Sequence, residues 1–157
     1  MNELMQAVSQ AETIAIGGHV RPDGDCIGSC MGLYSYIQDN FPGKKVTVYV
    51  EEIPSAFDYL SKEEAMTEQC GADQVYDLFV ALDCGDKERL GEAAGILEKA
   101  KATYCVDHHI TNTHFCQKEQ VEADASSTSQ ILYTLMEDEK ISYATACCLY
   151  TGIIHDT

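Results

Sequence analysis

The chain has 157 residues, 45% of them hydrophobic, which is enough for one globular domain with a sizeable core. Ten Lys and Arg against 26 Asp and Glu give a net charge of −16, and this excess argues against broad binding to duplex DNA, which depends on basic contacts to phosphates. No apolar run approaches the roughly 20 residues of a membrane helix, and residues 1–13 lack the pattern of a signal peptide, so we expect a cytoplasmic protein without membrane contacts.

The first predicted elements alternate between strand and helix. Residues 13–19, "TIAIGGH", predict a buried strand, and residues 44–50, "KKVTVYV", predict a second strand from their β-branched content. Between them, an apolar stripe with i, i+3, i+4, i+7 spacing predicts a helix that starts at Ile27 and ends at "FPGK". The stripe consists of Ile27, Cys30, Met31 and Tyr34. Gly28 and Gly32 keep one side of this helix small, which favours close packing.

The same alternation continues along the second half of the chain. Residues 54–70 fit short helices or loops, and residues 74–83 and 102–107 predict buried strands on either side of a helix over 87–100. "ASST", residues 125–128, suits the N-cap of a further helix. The last two helices carry apolar stripes, Thr128, Ile131, Leu132 and Leu135 in the first and Ala146, Leu149, Tyr150 and Ile153 in the second. The sequence therefore predicts an α/β fold, with a parallel sheet covered by helices on both faces.

The eight cysteines follow no disulfide or zinc pattern. None forms a Cys-x-x-Cys pair, and several lie within apolar runs such as 103–107 and 145–150. Because no secretory signal precedes them, we predict reduced and mostly buried thiols. A structural zinc domain is disfavoured, because such sites take a closed set of four ligands rich in Cys.

Acidic and imidazole side chains cluster where the predicted strands end. The set comprises His19, Asp23 and Asp25 after the first strand, Asp83 after another, Asp107, His108 and His109 after a third, and Asp156 at the last helix. The carboxyl ends of parallel strands meet at one edge of an open sheet, which is where ligands bind. The sequence therefore predicts that these groups line one crevice.

These residue types point to divalent metal ions. Aspartate and histidine without a Cys pair suit hard or borderline ions such as Mn²⁺ or Mg²⁺, and one shared aspartate would hold two ions roughly 3.5–4 Å apart, as in displacements at phosphorus. The glycines around Asp23 would let backbone N–H groups approach an anion. Each segment alone has a simpler explanation: a loop hydrogen bond for His19, a helix N-cap for Asp83, a polar loop for residues 108–109. Only His114 falls outside these segments, and we expect an ordinary histidine there.

Four segments resemble, in order, the four motifs of the DHH phosphoesterase family: "HVRPDGDCIGS", "ALDCGD", "VDHH" and "GIIHDT". The resemblance covers residues 14–157 and implies a Rossmann-like catalytic domain with a binuclear, usually manganese, centre, for which Mg²⁺ is the alternative ion. It implies one ion held by His19, Asp23 and Asp83, and a second held by Asp25, Asp83, His108 and Asp156.

The resemblance also implies roles for the neighbouring residues. Asp107 would be a ligand or would orient the histidines, and His109 would face the phosphate and stabilise charge or assist proton transfer. Cys84 is not expected to be a nucleophile, because the metal ions would supply one. The family's second, substrate-binding domain is not recognisable in residues 1–157, so we expect this chain to be the catalytic domain and to be weakly active or inactive by itself.

Two further segments, "ALDCGDKERLG" and "EADASSTSQILYTL", are most similar to the subgroup that degrades oligoribonucleotides and dephosphorylates 3′-phosphoadenosine 5′-phosphate. The resemblance implies short RNA or a nucleoside bisphosphate as the substrate, places Arg89 and the "SST" segment near the site, and leaves an oligomer open. Arg89 also has a structural explanation, a pair with Asp86, and Ser127 or Thr128 could cap a helix.

Several other functions remain open from the sequence. Within the family they are a cyclic dinucleotide phosphodiesterase, a single-strand exonuclease and an inorganic pyrophosphatase. Outside enzymes, the fold could serve as a non-catalytic module that binds metal or nucleotide. The complete ligand set argues against that module.

Overall fold

The structure is a computed structural model that describes residues 1–51, 53–60, 66–67 and 74–156. In this part of the chain, parallel strands form one six-stranded sheet in the order β3-β2-β1-β4-β5-β6. The strands are β1 (Thr13–Gly17), β2 (Lys45–Tyr49), β3 (Met66–Thr67), β4 (Leu78–Leu82), β5 (Ala102–Asp107) and β6 (Lys118–Val121). The order reverses between β1 and β4, which creates a topological switch point with a crevice at the carboxyl ends of the strands. The predicted Rossmann-like parallel sheet is confirmed.

Helices cover both faces of this sheet, as predicted. They are α1 (Glu3–Gln10), α2 (Gly24–Asn40), α3 (Ala93–Lys99), α4 (Thr128–Leu135) and α5 (Tyr143–His155). Strand side chains alternate between the faces, so Val80 packs into the core shared with α1, α2, α4 and α5, whereas Phe79 packs into the core shared with α3. Both strand residues are fully buried.

Gly28 and Gly32 in α2 allow close contact with α5, as the sequence predicts. A Cβ on Gly28 would lie 2.5 Å from the carbonyl oxygen of Cys148, and a Cβ on Gly32 would lie 2.8 Å from Cδ2 of Leu149. This contact brings the C-terminal end of α5 close to the start of α2.

Two predicted helices differ from those observed. The helix predicted from Ile27 begins at Gly24, because an Asp23 carboxylate oxygen accepts a hydrogen bond from the Cys26 N–H at 2.9 Å and caps it. The single helix predicted over 87–100 is a 3-10 helix, Lys87–Leu90, followed by α3. Gly91 separates them with φ 65°, a left-handed conformation that a helix cannot continue through.

One α-helix and two strands have no counterpart in the prediction. They are α1, the edge strand β6 and the short strand β3. The sequence of β6, "KEQV", has no apolar run, and all four residues remain partly exposed. For residues 54–60 the prediction of a short helix or loop is confirmed by a 3-10 helix, Ser55–Leu60; for residues 66–67 it is wrong, and residues 61–65 and 68–70 lie outside the described ranges.

Seven described cysteines lie outside any disulfide, as predicted: Cys26, Cys30, Cys84, Cys105, Cys116, Cys147 and Cys148. Among the described residues, no helix is both long enough and apolar enough to cross a membrane.

Candidate metal centre

The carboxyl ends of three adjacent strands bring His19, Asp83 and His108 together. Nε2 of His19 lies 3.4 Å from Oδ2 of Asp83, and Nε2 of His108 lies 3.3 Å from Oδ1 of the same carboxylate. Asp83 therefore lies between the two imidazoles, one carboxylate oxygen toward each.

The chain holds Asp83 in an unfavourable backbone conformation. Its φ is 57°, in the left-handed region that residues with a Cβ rarely adopt, and only 2% of the residue is exposed. Two bonds maintain this position: the Asp83 N–H donates to the Val106 carbonyl at 3.0 Å, and the Thr128 hydroxyl donates to Oδ1 at 3.2 Å. Backbone strain of this kind occurs where the surrounding structure imposes it, and functional sites are common among such positions.

Asp25 is a fully buried residue in the first turn of α2, and its carboxylate contacts the N-terminus of α4. Its Oδ2 accepts a hydrogen bond from the Thr128 N–H at 2.9 Å, and its Oδ1 accepts from the Ser129 N–H at 2.9 Å and the Ser129 hydroxyl at 2.8 Å. The positive end of the helix stabilises a carboxylate here. Gly152 leaves room for this arrangement, because a Cβ at that position would overlap the Ser129 hydroxyl.

Asp156 approaches the same group from the end of another helix. It is the C-cap residue of α5, and its Oδ2 lies 3.3 Å from Nε2 of His108. A helix C-terminus carries partial negative charge, so this is an unfavourable place for a carboxylate. A nearby cation would compensate for that repulsion.

The imidazole of His19 is oriented by its own loop. Nδ1 donates a hydrogen bond to the Val20 carbonyl at 2.7 Å, so in the neutral ring Nε2 carries the lone pair. That nitrogen lies 3.6 Å from Oδ1 of Asp23 as well as close to Asp83. A backbone acceptor on the far nitrogen is the usual arrangement that orients a histidine toward a metal ion.

One ring nitrogen of His108 lacks a hydrogen-bond partner, which indicates that these residues fit a metal ion. Nε2 of His108 is buried and has no hydrogen-bond partner among the described residues, although carboxylate oxygens of Asp25, Asp83 and Asp156 lie within 3.6 Å. Buried polar atoms without partners are rare and call for an explanation such as a bound ion. Three groups of ligand atoms occur here, and within each group the atoms lie within 4.8 Å of one another: His19, Asp23 and Asp83; Asp25, His108 and Asp156; and Asp83, His108 and His109. Their oxygen and imidazole donors fit divalent cations.

Without a cation, the side chains take up protons. Burial opposes the charged form of His19, but the nearby Asp23 and Asp83 carboxylates raise its pKa to about 11. The Asp83 carboxylate, against the effect of burial, raises the pKa of His108 to about 9. Burial and the negative charge of Asp83 raise the pKa of Asp25 to about 8. At neutral pH the metal-free His19, His108 and Asp25 therefore hold protons, whereas the two histidines lower the pKa of Asp83 to about 2 against the effect of burial, so Asp83 stays ionised.

Asp107 and His109 form a hydrogen-bonded pair at the border of this centre, where the His109 and His108 ring centroids lie 4.6 Å apart. Nδ1 of His109 lies 2.6 Å from Oδ1 of the fully buried Asp107, and the interaction raises the pKa of His109. The other carboxylate oxygen accepts a hydrogen bond from the Asn112 amide at 2.8 Å. The described contacts of the Asp107 carboxylate are thus with His109 and Asn112, an arrangement that orients the imidazole. The sequence analysis missed Asn112, which a single polar residue in a loop does not reveal.

The remaining sequence candidates lie in different environments. Arg89 is exposed, and the Asp86 carboxylate accepts a hydrogen bond from the Arg89 backbone N–H at 2.9 Å. The contact described between these two residues is therefore a helix N-cap to the backbone of Arg89. Ser127 caps α4, as one alternative proposed. Burial raises the pKa of Cys84 to about 12, which leaves an unreactive thiol. His114 is exposed, and its imidazole bonds to Glu119, which belongs to none of the candidate ligand groups.

The residues around this centre can be compared with known families. Residues 13–153 match the family described as "DHH family, N-terminal domain". The chain belongs to the DHH family. The predicted family is therefore confirmed over residues 13–153, which contain the first three motifs and the start of the fourth.

Curated relatives and a solved structure agree with this DHH assignment. The chain is 30% identical over 156 residues to the probable bifunctional oligoribonuclease and PAP phosphatase NrnA of Streptococcus mutans, a match that covers 98% of this chain and 48% of that protein. It is 25% identical to the cyclic-di-AMP phosphodiesterase PdeA of Listeria monocytogenes, covering 98% of this chain and 26% of that protein. An exopolyphosphatase-related protein of Bacteroides fragilis has a TM-score of 0.85 and 26% identity, covering 98% of this chain and 48% of that one. This DHH chain spans about half the length of the NrnA relative.

Proposed function

We propose that this chain is the catalytic domain of a metal-dependent phosphoesterase that hydrolyses short oligoribonucleotides, 3′-phosphoadenosine 5′-phosphate or both. The single observation that carries the proposal is the buried Nε2 of His108, which faces three carboxylates and has no hydrogen-bond partner in the described structure. Membership of the DHH family and the similarity to oligoribonuclease and PAP phosphatase relatives support the reaction and the substrate class.

The proposed centre holds two ions, Mn²⁺ first and Mg²⁺ as the alternative. His19, Asp23 and Asp83 would hold one ion, and the second would be held by Asp25, Asp83, His108 and Asp156. Asp83 would bridge the ions, which agrees with its carboxylate lying between the two imidazoles. When bound, the ions would lower the pKa of a water molecule and offset negative charge on the phosphoryl oxygens.

His109 is proposed to transfer a proton during hydrolysis, and Asp107 is proposed to position the His109 ring. In hydrolysis a water oxygen forms a new bond to phosphorus, the bond from phosphorus to the ester oxygen breaks, and that oxygen gains a proton. Because Nδ1 of His109 is engaged with Asp107, Nε2 is the ring nitrogen left to exchange a proton with the substrate. About 43% of the His109 side chain is exposed, so solvent and substrate can reach it.

A cyclic dinucleotide phosphodiesterase is the second candidate, since the chain is also similar to the cyclic-di-AMP phosphodiesterases of Listeria monocytogenes and Bacillus subtilis. A single-strand exonuclease and an inorganic pyrophosphatase are further alternatives within the family, and a non-catalytic binding module is the alternative outside it. We also propose that the protein is cytoplasmic. A second domain is proposed to contribute to substrate binding. The length of the NrnA relatives, about twice the matched region, supports that division.

Substitution of His109 tests the proposed function. We expect the Mn²⁺-loaded full-length protein to release phosphate from adenosine 3′,5′-bisphosphate and mononucleotides from short RNA, faster than it hydrolyses cyclic di-AMP or pyrophosphate. His109→Gln should lower turnover by about 100-fold or more, the usual contribution of a proton-transfer group, without changing the Mn²⁺ stoichiometry. Phosphate release and nucleotide chromatography measure these rates.

The control is His114→Gln, because His114 is an exposed histidine outside the centre. Its turnover should equal that of the native protein. Faster hydrolysis of cyclic di-AMP would favour the second candidate. Loss of Mn²⁺ binding in Asp83→Ala without any loss of hydrolysis would favour the non-catalytic module for this chain.

Metal binding should release protons and strengthen as the pH rises. The pKa values of about 11 for His19, about 9 for His108 and about 8 for Asp25 mean that the metal-free groups hold protons at pH 7 that a cation must displace. The bound state carries fewer protons, so higher pH favours it, and Mn²⁺ affinity should increase from pH 6 to pH 8. Calorimetry in two buffers with different ionisation enthalpies measures the released protons; a heat independent of the buffer would contradict this linkage.

A further inference from the structure

The two arginines of the chain lie at the same edge of the sheet, beside the proposed metal centre. Arg21 lies in the loop that follows β1, two residues after His19 and two before Asp23. Arg89 lies in the 3-10 helix that follows β4, the strand next to β1 in the sheet. Both side chains are exposed.

Backbone hydrogen bonds through Val20 hold these two loops together. The Val20 N–H donates to the Arg89 carbonyl at 2.7 Å, while the Val20 carbonyl accepts from Nδ1 of His19 at 2.7 Å. A single residue therefore connects the backbone of one arginine to a proposed metal ligand, and Arg21 is the next residue in the chain. The two arginine side chains start from neighbouring points next to the His19 imidazole.

The backbone conformation at Arg21 is energetically unfavourable. Arg21 has φ 54°, a left-handed conformation that is unfavourable for a residue with a Cβ. Gly91 allows the loops to approach, because a Cβ there would lie 2.8 Å from Cγ1 of Val20. A strained non-glycine residue beside a candidate site supports a functional reason for its position.

We propose that Arg21 and Arg89 together bind a second phosphate group of the substrate, one that is not cut. The guanidinium group binds phosphate through two parallel hydrogen bonds, and the net charge of −16 makes local positive charge necessary for any anion outside the metal ions. This inference rests on the proposed function and deepens it. The two arginines would favour substrates with two phosphate groups, such as a nucleoside 3′,5′-bisphosphate or an oligonucleotide, over simple monoesters.

The test compares ligands with two phosphate groups and with one. The probes are adenosine with non-hydrolysable phosphonate groups at both the 3′ and 5′ positions, and adenosine with one such group, each titrated by calorimetry into the Mn²⁺-loaded protein. Arg21→Ala should weaken binding of the bisphosphonate at least about tenfold and leave binding of the monophosphonate within about twofold. Arg21→Lys keeps the charge but not the forked geometry, so we expect an intermediate loss.

The matched control is Lys101→Ala, which removes one positive charge at the opposite edge of the sheet, where Nζ of Lys101 pairs with Asp77 at 3.4 Å. It should leave both affinities unchanged. Unchanged bisphosphonate affinity in Arg21→Ala, or equal weakening of both probes in Arg21→Ala and Lys101→Ala, would overturn the inference. If Arg21→Ala loses Mn²⁺ binding, the Arg21→Lys variant decides. If the native protein binds neither probe, the proposed function fails and the inference fails with it.

Discussion

Replacing Asp83 with Asn is expected to abolish tight Mn²⁺ binding at both proposed sites. Native protein should bind about two ions per chain, and Asp83→Asn should bind fewer than one, because the carboxylate between His19 and His108 is the only proposed ligand shared by both ions. The Asn amide has the same size as the carboxylate, but it offers one neutral oxygen in place of two oxygens that share a negative charge. Isothermal calorimetry measures the stoichiometry.

Thermal unfolding provides a second measurement of Mn²⁺ binding by the same variant. At a free Mn²⁺ concentration 100 times the dissociation constant, each site stabilises the native protein by about 2.7 kcal/mol, and this increment should disappear in Asp83→Asn. Asp39→Asn is the control, since Asp39 is exposed on α2 and lies outside the centre. Two ions bound by Asp83→Asn with native affinity would contradict the shared ligand.

Replacing Gly28 with Ala is expected to destabilise the fold by about 2 kcal/mol. The added Cβ would lie 2.5 Å from the Cys148 carbonyl oxygen and 2.9 Å from the Gly152 backbone nitrogen, and backbone atoms cannot move aside as a flexible side chain can. Overpacking of this kind costs about 3 kcal/mol, against a gain of about 1 kcal/mol from replacing a glycine within a helix. Urea denaturation of the metal-free chain measures the difference.

Gly28→Ala should also weaken Mn²⁺ binding, because it separates α2, which carries Asp25, from α5, which carries Asp156 at its end. The control is Gly95→Ala in α3, where a Cβ would meet nothing within 4 Å. That substitution should stabilise the chain by roughly 0.5–1 kcal/mol and leave metal binding unchanged. Equal stability of the two variants would show that α2 and α5 do not pack as closely as described.

Much of the fold could be predicted because its signals are local. The apolar runs of β1, β4 and β5 and the apolar stripe of α2 are periodic patterns within short segments, and their alternation implies a parallel sheet with a crevice at the carboxyl ends of the strands. That rule places His19, Asp83 and His108 at one edge, which is where the structure has them. The edge strand β6 escaped prediction because its polar sequence is partly exposed and is paired on one side by β5.

The strand-helix alternation, the four motifs and the residue types at the sheet edge can all be recognised in the sequence, because each is encoded in neighbouring residues. The contacts that hold those groups in place depend on three-dimensional packing. Asp25 accepts hydrogen bonds from Thr128 and Ser129, about one hundred residues away, and the Thr128 hydroxyl reaches Asp83. No local pattern encodes such contacts, since they depend on α4 packing against α2. For the same reason, the link through Val20 between the His19 ring and the Arg89 backbone becomes visible only when the β1 and β4 loops meet.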